Sequence, residues 1–383
     1  MKNIPYSTQY INKEDIKAVK KVLSNKFLTQ GPVVSLFENK LRKYFNCKNV
    51  VSVSNASNAL LLACAVLGVK KNTHVWCSAI TFISSISCAF HLGAKFKFLD
   101  IDNNNFNLDI NRLEVELKKT KTLPDILIVT HLGGNPIDLI KLKKLKAKYK
   151  FKIIEDASHA LGSKIKNKKV GNSDVSEFVI FSFHPVKSIT TGEGGALTTN
   201  KKELFKEAKI LRSHGINRNI KNKNLKGQLD YDIYKIGYNF RLSDINAALG
   251  VSQLNRLDIF IKKRNELAKC YDKNFKGIKE ITSQKILEHS RSSYHLYIIK
   301  IKNLNFKLKN KLNQVMKKNK IEINYHYVPI YKFSFNNKIN IKKFKNSESY
   351  HEQAISLPIH QKLRKKDINY ISKIVINFVT KNL

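Results

Sequence analysis

An α/β fold is predicted: a large domain with a mostly parallel mixed sheet between helices, followed by a smaller α+β C-terminal domain. Three observations predict it. Short apolar runs alternate with helical patterns from about residue 50 to 255, the signature of parallel strands joined by crossover helices. The stretch 242–275 keeps apolar residues at helical spacing and reads as one helix linking the two domains. Beyond residue 276, short strands mix with Lys-rich helices.

The expected strands, in order, are "VVSVS" (50–54), "HVWCSA" (74–79), "KFKFLD" (95–100), "DILIVT" (125–130), "FKIIEDA" (151–157), "FVIFSF" (178–183) and "GALTTN" (195–200). "NALLLACAVLG" (58–68) and "DLIKLKKLKAKYK" (138–150) read as helices between them, and "HLYIIKI" (295–301) as a strand of the second domain. The apolar stretch at 75–94 is broken by Ser, Thr and His, so it reads as a strand followed by a helix and not as a membrane span. "INRNIKNKNLKGQLD" (216–230) reads as an exposed loop.

At 383 residues and 42% hydrophobic content, the chain is long enough for one large core and a second domain. Its formal charge of +41 raises the question of nucleic acid. The composition argues against it: 61 of the 70 basic residues are Lys and only 9 are Arg, whereas phosphate and base readers lean on Arg forks. The lysines are spread along the chain, so a solvated surface is expected, with neither nucleic acid nor membrane as partner. Cys47, Cys64, Cys77, Cys88 and Cys270 are odd in number and form no C-x-x-C pair. They read as reduced thiols of a cytoplasmic protein. The N-terminus has no apolar run of the signal-peptide kind.

Ligands of open α/β sheets bind at the carboxyl ends of strands, and three such ends are unusual. "VSVSNASNAL" (51–60) runs from a strand into small residues and hydroxyls at a helix start. Ala56 and Ser57 there suit a phosphate, although Ser57 is equally readable as a helix cap. "IIEDASHALGS" (153–163) ends an apolar strand in two acids. Asp156 at the tip needs a cationic partner, and no His/Cys cluster has metal spacing. A helix cap is its plainer reading. In "FVIFSFHPVKSITTGEGGAL" (178–197), Ser182 ends a strand and Lys187 follows in a turn. Desolvation makes such a lysine an amine nucleophile, where an ordinary surface lysine is the alternative. One ligand needs a phosphate site, an acid to pair with a protonated ring nitrogen, and a lysine amine: pyridoxal 5′-phosphate, held covalently on Lys187. Ser57 and Ser182 would bind its phosphate. Phe82 would stack on its ring, unless it is plain core.

"EDASHALGS", "FSFHPVKSITTGEGGAL" and "GYNFRLSDINAALG" (237–250) resemble the motifs of the DegT-type sugar aminotransferases, which are pyridoxal-phosphate enzymes of fold type I. The resemblance covers essentially the whole chain. It implies an arm over the active site (1–30), a large cofactor-binding domain (31–255) and a small C-terminal domain (256–383). It also implies a homodimer with shared active sites, in which Asn239 reaches the partner's cofactor phosphate. Members with histidine in place of the lysine are dehydratases, so Lys187 implies transamination. "IPYSTQYINKEDI", "KFLTQGP", "SHALGS" and "YHYVPIY" are similar to the subgroup acting on a UDP-sugar in pseudaminic acid synthesis. His159 stands where many relatives have Gln. That likeness implies UDP-2-acetamido-2,6-dideoxy-β-L-arabino-hex-4-ulose as substrate and L-glutamate as amino donor. It implies sugar-nucleotide contacts from Tyr6, Lys26, Phe27, Leu28, Thr29, His184, His326, Tyr327, Val328 and Pro329, and a cofactor contact from His159. The motifs leave open a dTDP- or GDP-linked keto-sugar aminated at C3 or C4. A non-catalytic regulatory or nucleic-acid-binding protein on the same fold also stays open.

Overall fold

The computed structural model describes residues 3–218, 231–335 and 341–383. All seven expected strands of the large domain pair into one sheet: β1 (Asn49–Val53), β2 (His74–Ser78), β3 (Lys95–Leu99), β4 (Ile126–Thr130), β5 (Lys152–Asp156), β6 (Phe178–Ser182) and β7 (Gly195–Thr199). Their spatial order is β1-β7-β6-β5-β4-β2-β3. Only β7 runs against the rest, pairing antiparallel with β1 and β6. The other contacts are parallel. Because side chains alternate across a strand, Val75, Cys77, Ile126, Ile128, Ile154, Phe178 and Ile180 enter one buried cluster. Their neighbours Trp76, Leu127, Val129 and Ile153 enter another on the opposite face, and Val179 and Phe181 a third. A sheet buried on both faces is why these strands read as continuous apolar runs.

Helices α1 (Lys13–Leu23), α2 (Pro32–Phe45), α5 (Ile110–Lys119), α6 (Leu139–Tyr149), α7 (Lys202–Arg212), α10 (Phe306–Lys318) and α11 (Lys345–Gln353) frame the sheets, and three others position the site. α3 (Ala56–Val66) follows β1, with the Asn55 side chain accepting from the Asn58 amide as its N-cap. α4 (Ser84–Phe90) follows β2, so the 75–94 stretch is a strand and a helix. Among the described residues, no helix is long and apolar enough to cross a membrane. The third is α8 (Asp244–Leu254), capped by Ser243.

The 242–275 stretch departs from expectation. It is two helices, α8 and α9 (Leu257–Phe275), separated at Asn255 and Arg256. Leu254 and Leu257 are both buried, so apolar spacing runs across the break and hides it. Arg256 is held there by the carboxylate of Asp15, which also accepts from Ser252 and Gln253. Most of the loop expected at 216–230 lies outside the described residues; Ile216–Asn217 pairs with Asp232–Ile233.

A second sheet, β8 (Ile281–Ser283), β9 (Tyr297–Ile301) and β10 (Ala354–Leu357), is antiparallel. It packs with the C-terminal half of α9 and with α12 (Lys365–Asn382) around Leu267, Tyr271, Leu312 and Val375. The five cysteines are free thiols, with Cys47, Cys64, Cys77 and Cys88 buried.

Candidate active site

The carboxyl ends of β1, β2, β5 and β6 surround a cavity of about 460 Å³, and Lys187 and Asp156 both line it. Lys187 sits in the turn after β6, where its amide donates to the His184 carbonyl at 2.9 Å. Burial lowers its pKa from 10.5 to about 8, with the Asp156 charge acting against that fall. Near neutral pH a useful fraction is therefore free amine, as a nucleophile requires.

Glu155 and Asp156 are adjacent on a strand and point to opposite sides. Glu155 is tied down behind the sheet, accepting from Ser176 Oγ at 2.5 Å and paired with His131 Nε2 at 2.9 Å. Asp156, 4% exposed, is held by a line of hydroxyls. Ser85 Oγ donates to its Oδ2 at 2.6 Å and the Ser158 amide to its Oδ1 at 3.1 Å. Ser85 has its proton on Asp156, so it accepts from Thr81 Oγ1 (2.8 Å), which in turn accepts from Thr130 Oγ1 (2.7 Å). Asp156 is thus not a helix cap.

Ala56 and Ser57 open α3, whose first N–H groups have no intrahelical partner and face an anion favourably. Asn55 is the cap, which removes the capping role from Ser57; its hydroxyl lies 2.7 Å from Ser84 Oγ. The glycines after Lys187 bring β7 against this turn. A Cβ on Gly195 would lie 2.6 Å from the Ala56 nitrogen and the Asn55 carbonyl carbon, so any side chain there would displace the helix start. Ser182 and Phe82 complete this end of the cavity. Phe82 is 51% exposed, with its ring 5.7 Å from that of Tyr327; it is not core.

The second domain and the N-terminal segment close the opposite wall with His295, His326, Tyr327 and Tyr6. His159 Nδ1 accepts from the Gly133 amide at 3.3 Å. Its single proton is then on Nε2, donating to Tyr327 Oη at 3.0 Å. Its ring centroid lies 4.5 Å from that of His295. Burial, and then the Lys187 charge, hold His159 and His295 well below the usual histidine range and push His326 down to about 3. Three neutral imidazoles therefore face the lysine without adding positive charge.

Of the residues expected from sequence, Tyr6, Ala56, Ser57, Phe82, Asp156, His159, Ser182, His184, Lys187, His326 and Tyr327 line this one cavity. The other seven do not: Lys26, Phe27, Leu28, Thr29, Asn239, Val328 and Pro329. The 26–29 segment is bolted to α8 instead, since the Leu28 carbonyl accepts from the Asp244 amide. The Asp244 carboxylate in turn accepts from the Gly31 and Val33 amides at 2.8 Å. Asn239 is exposed. Ser85 and His295 were not anticipated. The run of serines after β2 was the available signal for Ser85. His295 lies 108 residues from Lys187 and had no local signal.

These residues fit pyridoxal phosphate. The cavity joins a desolvated lysine, a hydrogen-bonded carboxylate, a helix N-terminus with two hydroxyls, and an exposed aromatic ring. The model of the DegT/DnrJ/EryC1/StrS aminotransferase family matches residues 9–376. A curated relative from Campylobacter jejuni (serotype O:23/36, strain 81-176), a UDP-4-amino-4,6-dideoxy-N-acetyl-β-L-altrosamine transaminase, is 38% identical over 99% of this chain and 98% of its own. The solved structure of Helicobacter pylori PseC, an aminotransferase of pseudaminic acid biosynthesis, superposes with a TM-score of 0.90 at 32% identity, over 99% of this chain and 100% of that one. Spr1654 of Streptococcus pneumoniae, assigned as a sugar aminotransferase, superposes in its PLP-form with a TM-score of 0.91 at 29% identity over the whole of both chains. A PMP-form of the same protein is also known.

Proposed function

We propose, from the premise that the chain belongs to the DegT/DnrJ/EryC1/StrS aminotransferase family, that it moves the amino group of L-glutamate to C4 of UDP-2-acetamido-2,6-dideoxy-β-L-arabino-hex-4-ulose. The observation that carries the reading is Lys187. Its pKa is brought to about 8 by burial in the cavity that also holds Asp156, Ser57 and Ser182. The likeness to the Campylobacter transaminase over nearly the whole chain supports the choice of sugar.

Lys187 would hold the cofactor covalently through Nζ. Asp156 would face its ring nitrogen, Phe82 its ring and His159 its edge. Ala56, Ser57 and Ser182 would hold its phosphate. Bound there, the cofactor supplies an electron sink for the carbon that carries the transferred amine. Asp156, fixed by Ser85 and the Ser158 amide, keeps one orientation and favours a protonated ring nitrogen in both halves of the reaction. With its amine free, Lys187 Nζ would be the base beside the amino-bearing carbon of the substrate. It takes the proton there in the glutamate half and returns one in the sugar half. Tyr6, His326 and Tyr327 make the wall that orients the sugar, and their rings keep water from it.

The assembly that suits this site is a homodimer, with Asn239 entering the partner's cavity. Exposed apolar side chains support it. Ile236, three residues before Asn239, is 85% exposed, and Phe27 and Leu28 are also exposed. Free thiols throughout suit a cytoplasmic enzyme. The test is a panel of UDP-, dTDP- and GDP-linked keto-sugars incubated with glutamate and the enzyme, with amino-sugar products identified by mass and NMR. Amination at C4 of the UDP-linked 4-keto-sugar is expected; conversion of only a dTDP- or GDP-sugar, or amination at C3, would refute the sugar assignment.

A further inference from the structure

Arg264 lies on α9 with no exposed surface and does not line the cavity. Among the described residues no carboxylate pairs with it, and burial alone lowers its pKa to about 10. A buried, unpaired guanidinium is destabilising unless its donors are met. Here the two terminal nitrogens are met by backbone carbonyls from two separate strand connections and by one side-chain amide, while Nε has no partner among the described residues. Nη1 donates to the carbonyls of Tyr294 and His295, each at 3.2 Å, and of Ile359 at 2.6 Å. Nη2 donates to Gln361 Oε1 at 3.4 Å.

Each branch continues to the active cavity. The side chain of His295 is part of the cavity wall. The Ile359 amide donates to the Tyr6 carbonyl at 3.2 Å, and Gln361 Nε2 donates to the Thr8 carbonyl at 3.4 Å. Between those two points Ser7 Oγ donates to the Val186 carbonyl at 2.9 Å, one residue before Lys187. The N-terminal segment is therefore gripped on both sides of Ser7 by groups that Arg264 itself orients. An apolar residue of the same volume would pack but would leave the three carbonyls without this donor. A lysine has no planar fork to span them.

We propose that Arg264 is a positioning residue for the sugar half of the reaction: through Ile359 and Gln361 it holds Tyr6, and through the His295 carbonyl it holds His295, at fixed places on the cavity wall. The proposal rests on the reading of Tyr6 as a sugar contact. It makes the N-terminal segment a clamped part of the site, with a control point outside it.

The test uses full-length protein loaded with pyridoxal phosphate, as wild type, Gln361→Ala and Arg264→Lys. Hydrogen exchange is followed in peptides covering residues 3–10 and 355–363, where the Ile359 amide reports directly on the contact with Tyr6. KM and kcat are measured separately for glutamate and for the UDP-linked 4-keto-sugar. Gln361→Ala is expected to speed Ile359 exchange about tenfold, as for loss of a local clamp. It is expected to raise KM for the sugar about fivefold, the effect of one lost positioning hydrogen bond, with the glutamate parameters within about twofold. Arg264→Lys should move both readouts further in the same direction. A merely structural role would lower the melting temperature and change both substrates alike, and that pattern overturns the proposal. So does unchanged Ile359 exchange in Gln361→Ala, which decides the matter alone if Arg264→Lys fails to fold. Wild-type protein that aminates no keto-sugar would overturn the functional reading instead, while the exchange experiment still reports on the clamp.

Discussion

Replacing Lys187 with Met is expected to make the cofactor-free protein more stable while abolishing transamination. Burial takes the lysine from 10.5 to about 8, a displacement equivalent to about 3 kcal/mol at 1.36 kcal/mol per pKa unit. The sign follows from proton counting. Between pH 8 and 10.5 the unfolded chain binds the proton that the folded chain has released, so wild-type stability rises with pH across that window. Below pH 8 both states are protonated and the folded protein bears the whole penalty. The gain from Lys187→Met is therefore largest at neutral pH, about 3 kcal/mol, and falls to less than half of that by pH 9.5. With an unfolding entropy of about 2.1 cal/mol/K per residue over 383 residues, those figures correspond to melting temperatures higher by about 4 °C and then about 2 °C. The assay is thermal melting of cofactor-stripped wild type and variant at both pH values. A variant that melts no higher than wild type at pH 7, or whose advantage does not shrink with pH, would refute the claim that Lys187 is held in a desolvated, destabilising position for the sake of its amine.

Asp156→Asn should retain part of the cofactor and lose about 100-fold or more in turnover, since an amide does not stabilise a protonated ring nitrogen; near-normal turnover would show that the carboxylate has no chemical role. Ser85→Ala leaves Asp156 Oδ2 without its 2.6 Å donor and should reduce kcat about tenfold, the effect of one charge-assisted hydrogen bond; equal kcat in variant and wild type would show that the hydroxyl line does not orient the acid. Mixing an Asn239→Ala chain with a Lys187→Ala chain tests the shared site: after subunit exchange, one site of each mixed dimer carries both defects and the other carries none. Activity should reappear, and its failure to do so with exchange confirmed by native mass spectrometry would rule out a site built from two chains.

Chemistry that belongs to a strand end is written locally in this chain. β5 alternates its side chains, so "IIEDA" places Glu155 and Asp156 on opposite sides, and its position at the strand tip marks Asp156. The apolar run of β6 followed by a turn marks Lys187, and the small residues after β1 mark a helix start open to an anion. Tertiary structure alone decided the rest, because those contacts close between segments far apart in sequence. Apolar spacing continues through Leu254 and Leu257 and so concealed the break between α8 and α9. Ser57 is readable as a cap from sequence, and only the hydrogen bond that the Asn58 amide donates to Asn55 Oδ1 frees it. The hydroxyl line through Thr130, Thr81 and Ser85 joins three strand ends that no sequence window contains. His295 and Arg264 reach the site or its supports through β9 and α9, and their roles exist only once the second domain packs beside the first. Local periodicity records how each segment is buried; which segments meet is decided by the packing of the whole chain.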